Sequence, residues 1–177
     1  GEMRDVLMNV STNPNVLPPL QGAEHGFKTS FSFTKPRSRG RVGLASADPL
    51  QGPLIDHNVF AEAADVRGAL KALAISRDIL SSREMGSFEG VELNQDLLGD
   101  DESRRRFLIA GATSFGHHVG TCRMGEDASA VVDQELNVRG VSGLSVVDAS
   151  VIPEVPSSPT NALVVAMAEL YAARAGC

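Results

Sequence analysis

The chain has 177 residues, of which 42% are hydrophobic and 21% are charged, and its formal net charge at pH 7 is −6. This balance is typical of a globular protein with a sizeable core. The mild negative charge is spread along the chain, which argues against a nucleic-acid partner, and the longest apolar run, ALVVAMA, is too short to span a bilayer.

The first part of the chain favours extended structure. Residues 1–26 contain NPN and PP sequences with little periodicity, and we expect them to be extended or looping. The segment GFKTSFSFTKP follows, with Phe27, Thr29, Phe31 and Phe33 at alternate positions. Alternation of this kind predicts a strand near residues 28–34 with an aromatic face that is largely buried.

Two further strands and a helix come next. The segment SRGRVGLASADP predicts a strand near residues 39–46 that ends at an Asp-Pro turn, and GPLIDHNVF predicts another near 54–60. Across residues 61–82 the apolar positions recur at close to 3.6-residue spacing, which is typical of an amphipathic helix. We expect the three strands to be neighbours in one sheet, with this helix packed on one face.

The second half of the chain mixes helices with a strand. Asp100 favours a helix N-terminus and predicts a helix that ends at Gly111. The basic cluster Arg104–Arg106 follows three acidic residues, so it indicates a charged helix face and not a phosphate-binding track. GLSVVDAS predicts a buried strand that ends in a polar turn, and residues 161–174 predict an apolar helix. The whole order predicts an α+β fold with an antiparallel sheet.

The two cysteines, Cys122 and Cys177, form no disulfide framework, and neither belongs to a CxxC pair. A single disulfide between them stays open as an alternative. Chains with so few cysteines are typical of a reducing compartment, so we expect a cytoplasmic location.

The stretch SFGHHVGTCRMG, Ser114–Gly125, places two of the four histidines side by side. Histidines flanked by glycines are often ordinary turn residues. A cysteine hydrolase built on Cys122 would need an orienting group and an oxyanion site, which nothing nearby supplies. A zinc site is disfavoured because adjacent histidines rarely face one ion. From these residues alone, a tight turn and a catalytic centre both stay open.

A longer pattern extends this stretch. HHVGTCRMG is followed by VVDQELNVRGVSGLSVVDASVIP and PSSPTNALVVAMAE, and KPRSRGRVGLASADPLQGPLIDHNVF stands upstream. In this order they closely resemble the C-terminal part of the glucose–methanol–choline (GMC) family of FAD-dependent alcohol oxidoreductases, which includes choline dehydrogenase-like enzymes. The resemblance covers roughly residues 30–177. It implies a lead-in segment, 1–26, a substrate-binding lobe, 27–113, and a part, 114–177, whose strand-turn-helix completes an FAD-binding domain.

One hallmark of the family is missing. Its members begin with a βαβ unit whose Gly-x-Gly-x-x-Gly loop holds the FAD pyrophosphate against a helix N-terminus. The sequence contains no such loop. The resemblance therefore implies that FAD is bound mostly by a part of the protein outside this chain. That part and a small-molecule alcohol are the expected partners, and we expect no metal, nucleic acid or membrane span.

The resemblance also implies a catalytic role for the histidines. His117 occupies the first position of the family's His-x-Val-Gly-Thr motif, which faces the flavin and acts as a general base. Imidazole suits this role because it exchanges a proton near neutral pH. His118 stands where relatives often have proline or another variable residue. It is the second candidate catalytic residue, although a packing or supporting role is favoured for it.

Two further sites are implied to contact the cofactor. Asp148 and Ala149 would lie along the FAD ribityl and diphosphate, although the residues alone also allow Asp148 to be the cap of a turn. Thr160, Asn161 and Ala162 open the last helix, whose backbone N–H groups would approach the pyrimidine edge of the flavin. The positive end of the helix would there stabilise the charge of the reduced flavin.

Pro159, the remaining cofactor-contacting candidate, departs from the family pattern. Many relatives have a second catalytic histidine or asparagine at this position. Proline has no side-chain donor or acceptor, so it cannot hold the substrate oxygen. His117 is then the base, with His118 as its one candidate helper. A proline here also occurs among relatives that act on pyridoxine-type alcohols, which suggests such a substrate without fixing it.

The sequence therefore predicts the C-terminal part of an FAD-dependent alcohol oxidase or dehydrogenase. Such an enzyme oxidises a primary or secondary alcohol to a carbonyl by hydride transfer to flavin, with a histidine as base. A hydroxynitrile lyase on the same scaffold is one alternative. A non-catalytic binding or cap module is the other, and it would be excluded by an upstream sequence that contains a Gly-x-Gly-x-x-Gly unit.

Overall fold

The computed structural model of the chain describes residues 6–11, 28–87 and 99–176. These residues form two compact units, which are described separately below. The first contains the described residues up to Phe33, together with Arg37–Arg39 and Asn58–Thr113. The second contains Thr34–Pro36, Gly40–His57 and the described residues from Ser114 onward.

The first unit contains a β-hairpin. Strand β1, Val6–Ser11, pairs antiparallel with β2, Lys28–Phe33, so that Val6 lies opposite Phe33. β1 lies within the segment 1–26, which we expected to be extended or looping, and the structure shows a regular strand at these six residues. VLMNVS does not alternate strictly between apolar and polar residues. Its pairing with β2 was therefore not visible in the local pattern.

A second hairpin belongs to the second unit. Strand β3, Arg41–Gly43, pairs antiparallel with β4, Leu54–Asp56. β1–β2 and β3–β4 are two separate two-stranded sheets. The prediction that strands near 28–34, 39–46 and 54–60 are neighbours in one sheet is therefore wrong. Alternation identifies the two faces of a strand but not its hydrogen-bonding partner, and β2 pairs with β1 instead.

Gly40 stands at the base of the β3–β4 hairpin, where two stretches of backbone approach closely. A Cβ atom at this position would lie 2.2 Å from the Asp56 carbonyl oxygen and 2.9 Å from the carbonyl carbon of His57. Both distances are shorter than a van der Waals contact, and both involve backbone atoms that cannot swing aside. Only glycine is therefore compatible with this approach.

Four helices complete the described structure: α1, Ala63–Leu80; α2, Arg83–Gly86; α3, Asp101–Gly111; and α4, Thr160–Ala175. The three helices predicted from the sequence correspond to α1, α3 and α4, each within about two residues at its ends. None of the helices in the described part of the chain is both long enough and apolar enough to cross a membrane.

The start of α3 confirms the prediction made from its charges. The Asp100 side chain accepts a hydrogen bond from the Ser103 N–H at 2.7 Å, which is the contact expected of an N-cap residue. This capping bond holds the pKa of Asp100 below its usual range. Arg104 lies 2.8 Å from Asp101, and Arg106 lies 3.6 Å from Glu102. The basic cluster therefore forms a charged helix face.

The first unit packs its aromatic residues against α1. The Phe33 ring meets the rings of Phe31 and Phe60 edge-on, with centroid separations of 6.1 and 6.4 Å. It also lies over Gly68, where an added Cβ would come within 3.0 Å of the ring. Phe31 and Phe33 are nevertheless only partly buried, so the expectation of largely buried phenylalanines is wrong for these two. Phe27 lies outside the described residues.

A buried carboxylate ties the segment before β3 to α1. Asp65 is 7% exposed, and it accepts hydrogen bonds from the Arg37 N–H at 3.0 Å, the Ser38 N–H at 2.7 Å and the Ser38 hydroxyl at 2.6 Å. Burial raises the pKa of Asp65, but these hydrogen bonds together outweigh it and hold the pKa below its usual value. The carboxylate is therefore a structural anchor.

The core of the second unit consists mainly of loop residues. Val132, Leu136 and Val151 are buried at its centre, and Met167 and Tyr171 of α4 pack against them. The predicted strand GLSVVDAS does not form: Ser145 makes a single bridge to Asn137, and the segment ends in a short 3₁₀ turn, Ala149–Val151. A buried strand requires a partner along its length, and among the described residues this segment has only that bridge.

Helix α4 has apolar residues both on its core-facing side and among its exposed positions. Met167 and Tyr171 face the core, and the Tyr171 hydroxyl donates a hydrogen bond to Ser145 Oγ at 2.7 Å. Leu163, Val165 and Leu170 are exposed. The fold as a whole is the mixed helix-and-strand class that the sequence predicted, with small antiparallel sheets.

Candidate active site

The histidine segment contains a bend at Gly116 and a turn at residues 121–122, and two of its glycines have positive φ angles. Gly116 has φ +79° and Gly120 has φ +88°, angles that favour glycine over other residues. The Gly116 N–H donates a hydrogen bond to Ser114 Oγ at 2.9 Å, which closes the first part of the turn. The two histidines lie between this bend and the turn at residues 121–122, so the stretch is turn-like only at its two ends, and neither alternative for it is excluded.

The last part of the histidine motif, residues 122–124, is hydrogen-bonded to the turn that follows Asp148. The Cys122 N–H donates to the Ser150 carbonyl oxygen at 3.0 Å, and the Met124 N–H donates to that of Val151 at 2.8 Å. Val151 is fully buried in the core of this unit. Backbone hydrogen bonds thus join residues of the two motifs that stand 27 and 28 positions apart in the sequence.

His117 lies against the first residue of α4. It is partly buried, and its Nδ1 atom lies 3.3 Å from the Thr160 hydroxyl oxygen. Phe115 meets the imidazole edge-on, with centroids 5.0 Å apart and an interplanar angle of 80°. The ring is therefore held at Nδ1 and by one aromatic contact, and Nε2 is the nitrogen that Thr160 does not contact.

His118 has different neighbours from His117. It is exposed, and its Nε2 atom lies 2.8 Å from Ser114 Oγ. Its ring stacks on that of His57, with centroids 5.1 Å apart and an interplanar angle of 21°. Among the described residues, no three or more His, Cys, Asp or Glu side chains are grouped as metal ligands.

Sequence reasoning missed the contribution of His57. This residue directly follows β4, and nothing in GPLIDHNVF indicates that its side chain reaches the histidine motif more than fifty positions away. The only available signal was its rarity, since the chain has four histidines. Stacking of this kind depends on tertiary structure and has no local signature.

Asp148 acts as a cap in this structure. It precedes the 3₁₀ turn Ala149–Val151, and its carboxylate accepts hydrogen bonds from the Ser150 N–H at 2.8 Å and from the Ser150 hydroxyl. The interpretation of Asp148 as a turn cap is therefore confirmed. Its role toward FAD stays a prediction. The side chain is exposed, so capping and contact with a cofactor are compatible.

The start of α4 has no side-chain cap. Pro159 is the N-cap residue, with φ −52° and ψ 138°, and no side chain accepts a hydrogen bond from the first turn. Thr160 is buried, whereas Asn161 and Ala162 are exposed. The first N–H groups of a helix have no acceptor within the helix and carry partial positive charge. This end of α4 is therefore suited to an electron-rich group.

Arg123 and Met124 both have structural roles. Both carboxylate oxygens of Asp127 accept hydrogen bonds from the Arg123 guanidinium, at 2.9 and 2.6 Å, and Ser129 Oγ accepts another. This hydrogen-bonded pair raises the pKa of Arg123 and holds the pKa of Asp127 well below its usual range. Met124 packs on the buried core. Among the described residues Cys122 has no disulfide partner, and Cys177 lies outside them.

The sequence of the chain was compared with those of known protein families. Residues 36–168 match the GMC oxidoreductase family, in its C-terminal region, and the chain therefore belongs to this family. It is 37% identical over 152 residues to an oxygen-dependent choline dehydrogenase of Ectopseudomonas mendocina, a match that covers 85% of this chain and 27% of that protein. It is 35% identical over 153 residues to an alcohol dehydrogenase [acceptor] of Pseudomonas putida, with 82% and 26% covered.

Solved structures give the same assignment. The chain superposes on pyridoxine 4-oxidase from Mesorbium loti with a TM-score of 0.78 and 27% identity, covering 96% of this chain and 34% of that one. It superposes on a fungal aryl-alcohol oxidase with a TM-score of 0.71 and 29% identity, covering 85% and 25%. The chain spans about a quarter of the length of the curated relatives it matches.

Proposed function

We propose that this chain is the C-terminal part of an FAD-dependent alcohol oxidoreductase in which His117 is the general base. The observation that carries the proposal is the 3.3 Å contact between His117 Nδ1 and Thr160, which brings the histidine motif to the uncapped start of α4. The dehydrogenases and oxidases that the chain resembles support oxidation as the reaction.

His117 would act on the substrate hydroxyl. Because Thr160 contacts Nδ1, the lone pair of Nε2 is the one that would take the hydroxyl proton. Partial burial supports the role, since it leaves the ring accessible while limiting the number of waters around it. When bound, FAD would accept the hydride from the carbinol carbon, so that the alcohol becomes a carbonyl.

The start of α4 fits the electron-rich edge of a flavin. Pro159 has no N–H and caps nothing, so the N–H groups of the first turn face outward with their partial positive charge. Thr160, Asn161 and Ala162 would hold this edge of the ring. Asp148 and Ala149, in the turn that is bound to the histidine motif, would line the ribityl and diphosphate part of FAD.

The remaining FAD-binding surface would come from another part of the same enzyme. The relatives are much longer than this chain, and the exposed Leu163, Val165 and Leu170 of α4 offer an apolar surface for such a part to cover. We therefore expect the isolated 177-residue chain to purify colourless and the whole enzyme to be yellow. Stoichiometric flavin on the isolated chain, seen in its absorbance spectrum, would refute this division.

Pro159 restricts the proposed reaction to a single base. A proline cannot hold the substrate oxygen with its side chain, so no second base is assigned at this position. The substrate is a primary or secondary alcohol. The structural likeness to pyridoxine 4-oxidase and aryl-alcohol oxidase supports an alcohol on an aromatic ring, and the likeness to choline dehydrogenases supports an aliphatic one.

Anaerobic mixing of the whole enzyme with a panel of alcohols tests the proposal. The panel contains pyridoxine, benzyl alcohol, choline and a simple secondary alcohol, and flavin absorbance is followed in a stopped-flow instrument. We expect at least one alcohol to bleach the flavin and yield the matching carbonyl. Cyanide release from mandelonitrile without bleaching would indicate a hydroxynitrile lyase, and no reaction with any compound would indicate a binding module.

We also propose that the enzyme works in the cytoplasm. The low cysteine content, two in 177 residues, supports a reducing compartment. Fractionation of the source cells, with an antibody against this chain, tests the location. Recovery of the protein from outside the cytoplasm would refute it.

A further inference from the structure

We propose that the Thr160 hydroxyl is a positioning group for His117: it accepts a hydrogen bond from Nδ1–H and so keeps the lone pair on Nε2. The inference rests on the proposed function and assigns to the Thr160 side chain a role separate from that of its backbone. The observation behind it is the distance of 3.3 Å between Thr160 Oγ1 and His117 Nδ1.

The burial of Thr160 is the first argument. It is 7% exposed and is the one buried residue of α4, a helix whose other residues are partly or largely exposed. A buried hydroxyl needs a hydrogen-bonding partner, because leaving it without one is costly. The imidazole of His117 supplies that partner. The hydroxyl is not used to cap the helix, since α4 has no side-chain cap.

The position of Thr160 is fixed by the residue before it. Pro159 has a restricted φ, here −52°, and its extended conformation makes Thr160 the first residue of the helix. The hydroxyl is therefore presented from a rigid element. The Phe115 ring meets the imidazole at a centroid distance of 5.0 Å, so the imidazole is held by two independent contacts.

The chemistry of imidazole decides the direction of the hydrogen bond. Neutral histidine has one N–H and one lone pair, and a base at Nε2 requires the proton to be on Nδ1. In that tautomer Nδ1–H donates to Thr160 Oγ1. After Nε2 takes a proton, Nδ1–H still has the same acceptor, so the hydroxyl also stabilises the imidazolium. In the opposite tautomer Nε2 already carries a proton, so it could not accept one from the substrate hydroxyl.

Two substitutions at Thr160 separate the effect of the hydroxyl from the effect of the side-chain shape. Thr160→Val keeps the branched side chain and removes the hydroxyl, whereas Thr160→Ser keeps the hydroxyl and removes the methyl group. In the whole flavoenzyme, we expect Thr160→Val to slow anaerobic flavin reduction by roughly tenfold, the equivalent of one hydrogen bond. Thr160→Ser should react close to the wild-type rate. Equal losses from the two variants would overturn the proposal.

A spectroscopic measurement tests the tautomer without turnover. With histidine labelled by ¹⁵N in the oxidised enzyme, at a pH where imidazole is neutral, the Nε2 signal of His117 should be that of an unprotonated nitrogen. His117→Ala identifies this signal by its disappearance. In Thr160→Val the signal should move toward that of a protonated nitrogen, and Thr160→Ser should restore it. An unchanged Nε2 signal in Thr160→Val would refute the inference.

A double-mutant cycle distinguishes this inference from the proposed function. In the His117→Ala background, Thr160→Val should cause no further loss in rate, because the hydroxyl acts through the imidazole. The same tenfold loss in that background would overturn the inference alone. An unaffected rate in His117→Ala itself would instead refute the proposed function. If Thr160→Val loses its flavin, Thr160→Ala replaces it, and loss of flavin from both variants would also overturn the inference.

Discussion

Two stretches of the second unit, residues 114–118 and 123–152, are both irregular, yet they are built in opposite ways. In the first, each histidine is partly or fully exposed and is held by a hydrogen bond and a ring contact. In the second, many backbone groups are hydrogen-bonded to one another, and the stretch surrounds the buried Val132 and Val151. The buried core therefore lies in one stretch, and the proposed chemistry lies in the other. Substitutions in the two stretches should therefore affect different measurements.

The largest expected effect is in the histidine stretch. His117→Ala in the whole enzyme should slow anaerobic flavin reduction by roughly 10²–10⁴-fold, the usual range for loss of a positioned general base. Stopped-flow absorbance measures the rate, and the retained flavin spectrum is the control for folding. The melting temperature should change little, because His117 is only partly buried. A rate within about threefold of wild type would show that the base lies elsewhere.

The second prediction concerns the core of the other stretch. Val151 is fully buried, and Val151→Ala should lower the free energy of unfolding by about 2 kcal/mol because it removes two buried methyl groups. The rate per bound flavin should be unchanged. Val141→Ala is the matched control, since Val141 is 51% exposed in the same unit. Equal losses of stability from the two variants, measured in denaturant, would contradict this account of the core.

The third prediction concerns the first unit and its buried carboxylate, Asp65. Asp65→Asn should lower the free energy of unfolding by about 1–3 kcal/mol near pH 7, because an asparagine side chain could not accept all the hydrogen bonds that the carboxylate accepts. The pKa of Asp65 is lowered by folding, so its contribution is full above the unfolded value, about 3.9, and is lost as the pH falls through the lower folded value.

The difference between Asp65→Asn and the wild type is therefore expected to stay constant from about pH 7 to pH 5 and to shrink below about pH 4. Denaturant unfolding at a series of pH values measures it. Asp48→Asn, at an exposed turn, is the control and should show a smaller difference at neutral pH. If the difference in unfolding free energy between Asp65→Asn and the wild type grew on acidification, the pKa of Asp65 would be raised by folding and not lowered.

The smallest expected effect is that of His118→Ala. His118 is exposed and contacts Ser114 and His57, so its loss should slow flavin reduction by no more than about threefold. The same stopped-flow measurement applies. Losses equal to those of His117→Ala would indicate that the two imidazoles act together. A larger loss from His118 would mean that the catalytic position in the motif is shifted by one residue.

The sequence predicted well what depends on neighbouring residues. The helices follow from 3.6-residue periodicity, and the N-cap at Asp100 follows from its side chain. Prediction from the sequence failed where the structure of a segment depends on its pairing with a distant segment. Alternating phenylalanines identified β2, but its partner β1 lies in a segment that was expected only to be extended or looping. The segment GLSVVDAS has strand composition without a strand partner along its length.

The candidate site was predictable in a similar way. The order of the motifs pointed to His117 and to the start of α4 as separate elements. Their contact joins residues 43 positions apart, and the stack of His57 on His118 joins two segments from different parts of the chain. Local patterns carry no information on such pairs. The cap formed by Asp148 was the one site feature that its residue type alone indicated.

The close approach of backbone at Gly40 places a limit on how this site can vary. Gly40 meets the backbone of Asp56 and His57, and His57 in turn stacks on His118. A library with every amino acid at position 40, selected for a folded and active enzyme, should return glycine almost alone. A library at position 57 should be far more permissive. The surroundings of the histidines can therefore be altered through the side chain of residue 57. They cannot be altered at position 40, where the backbone beside His57 requires glycine.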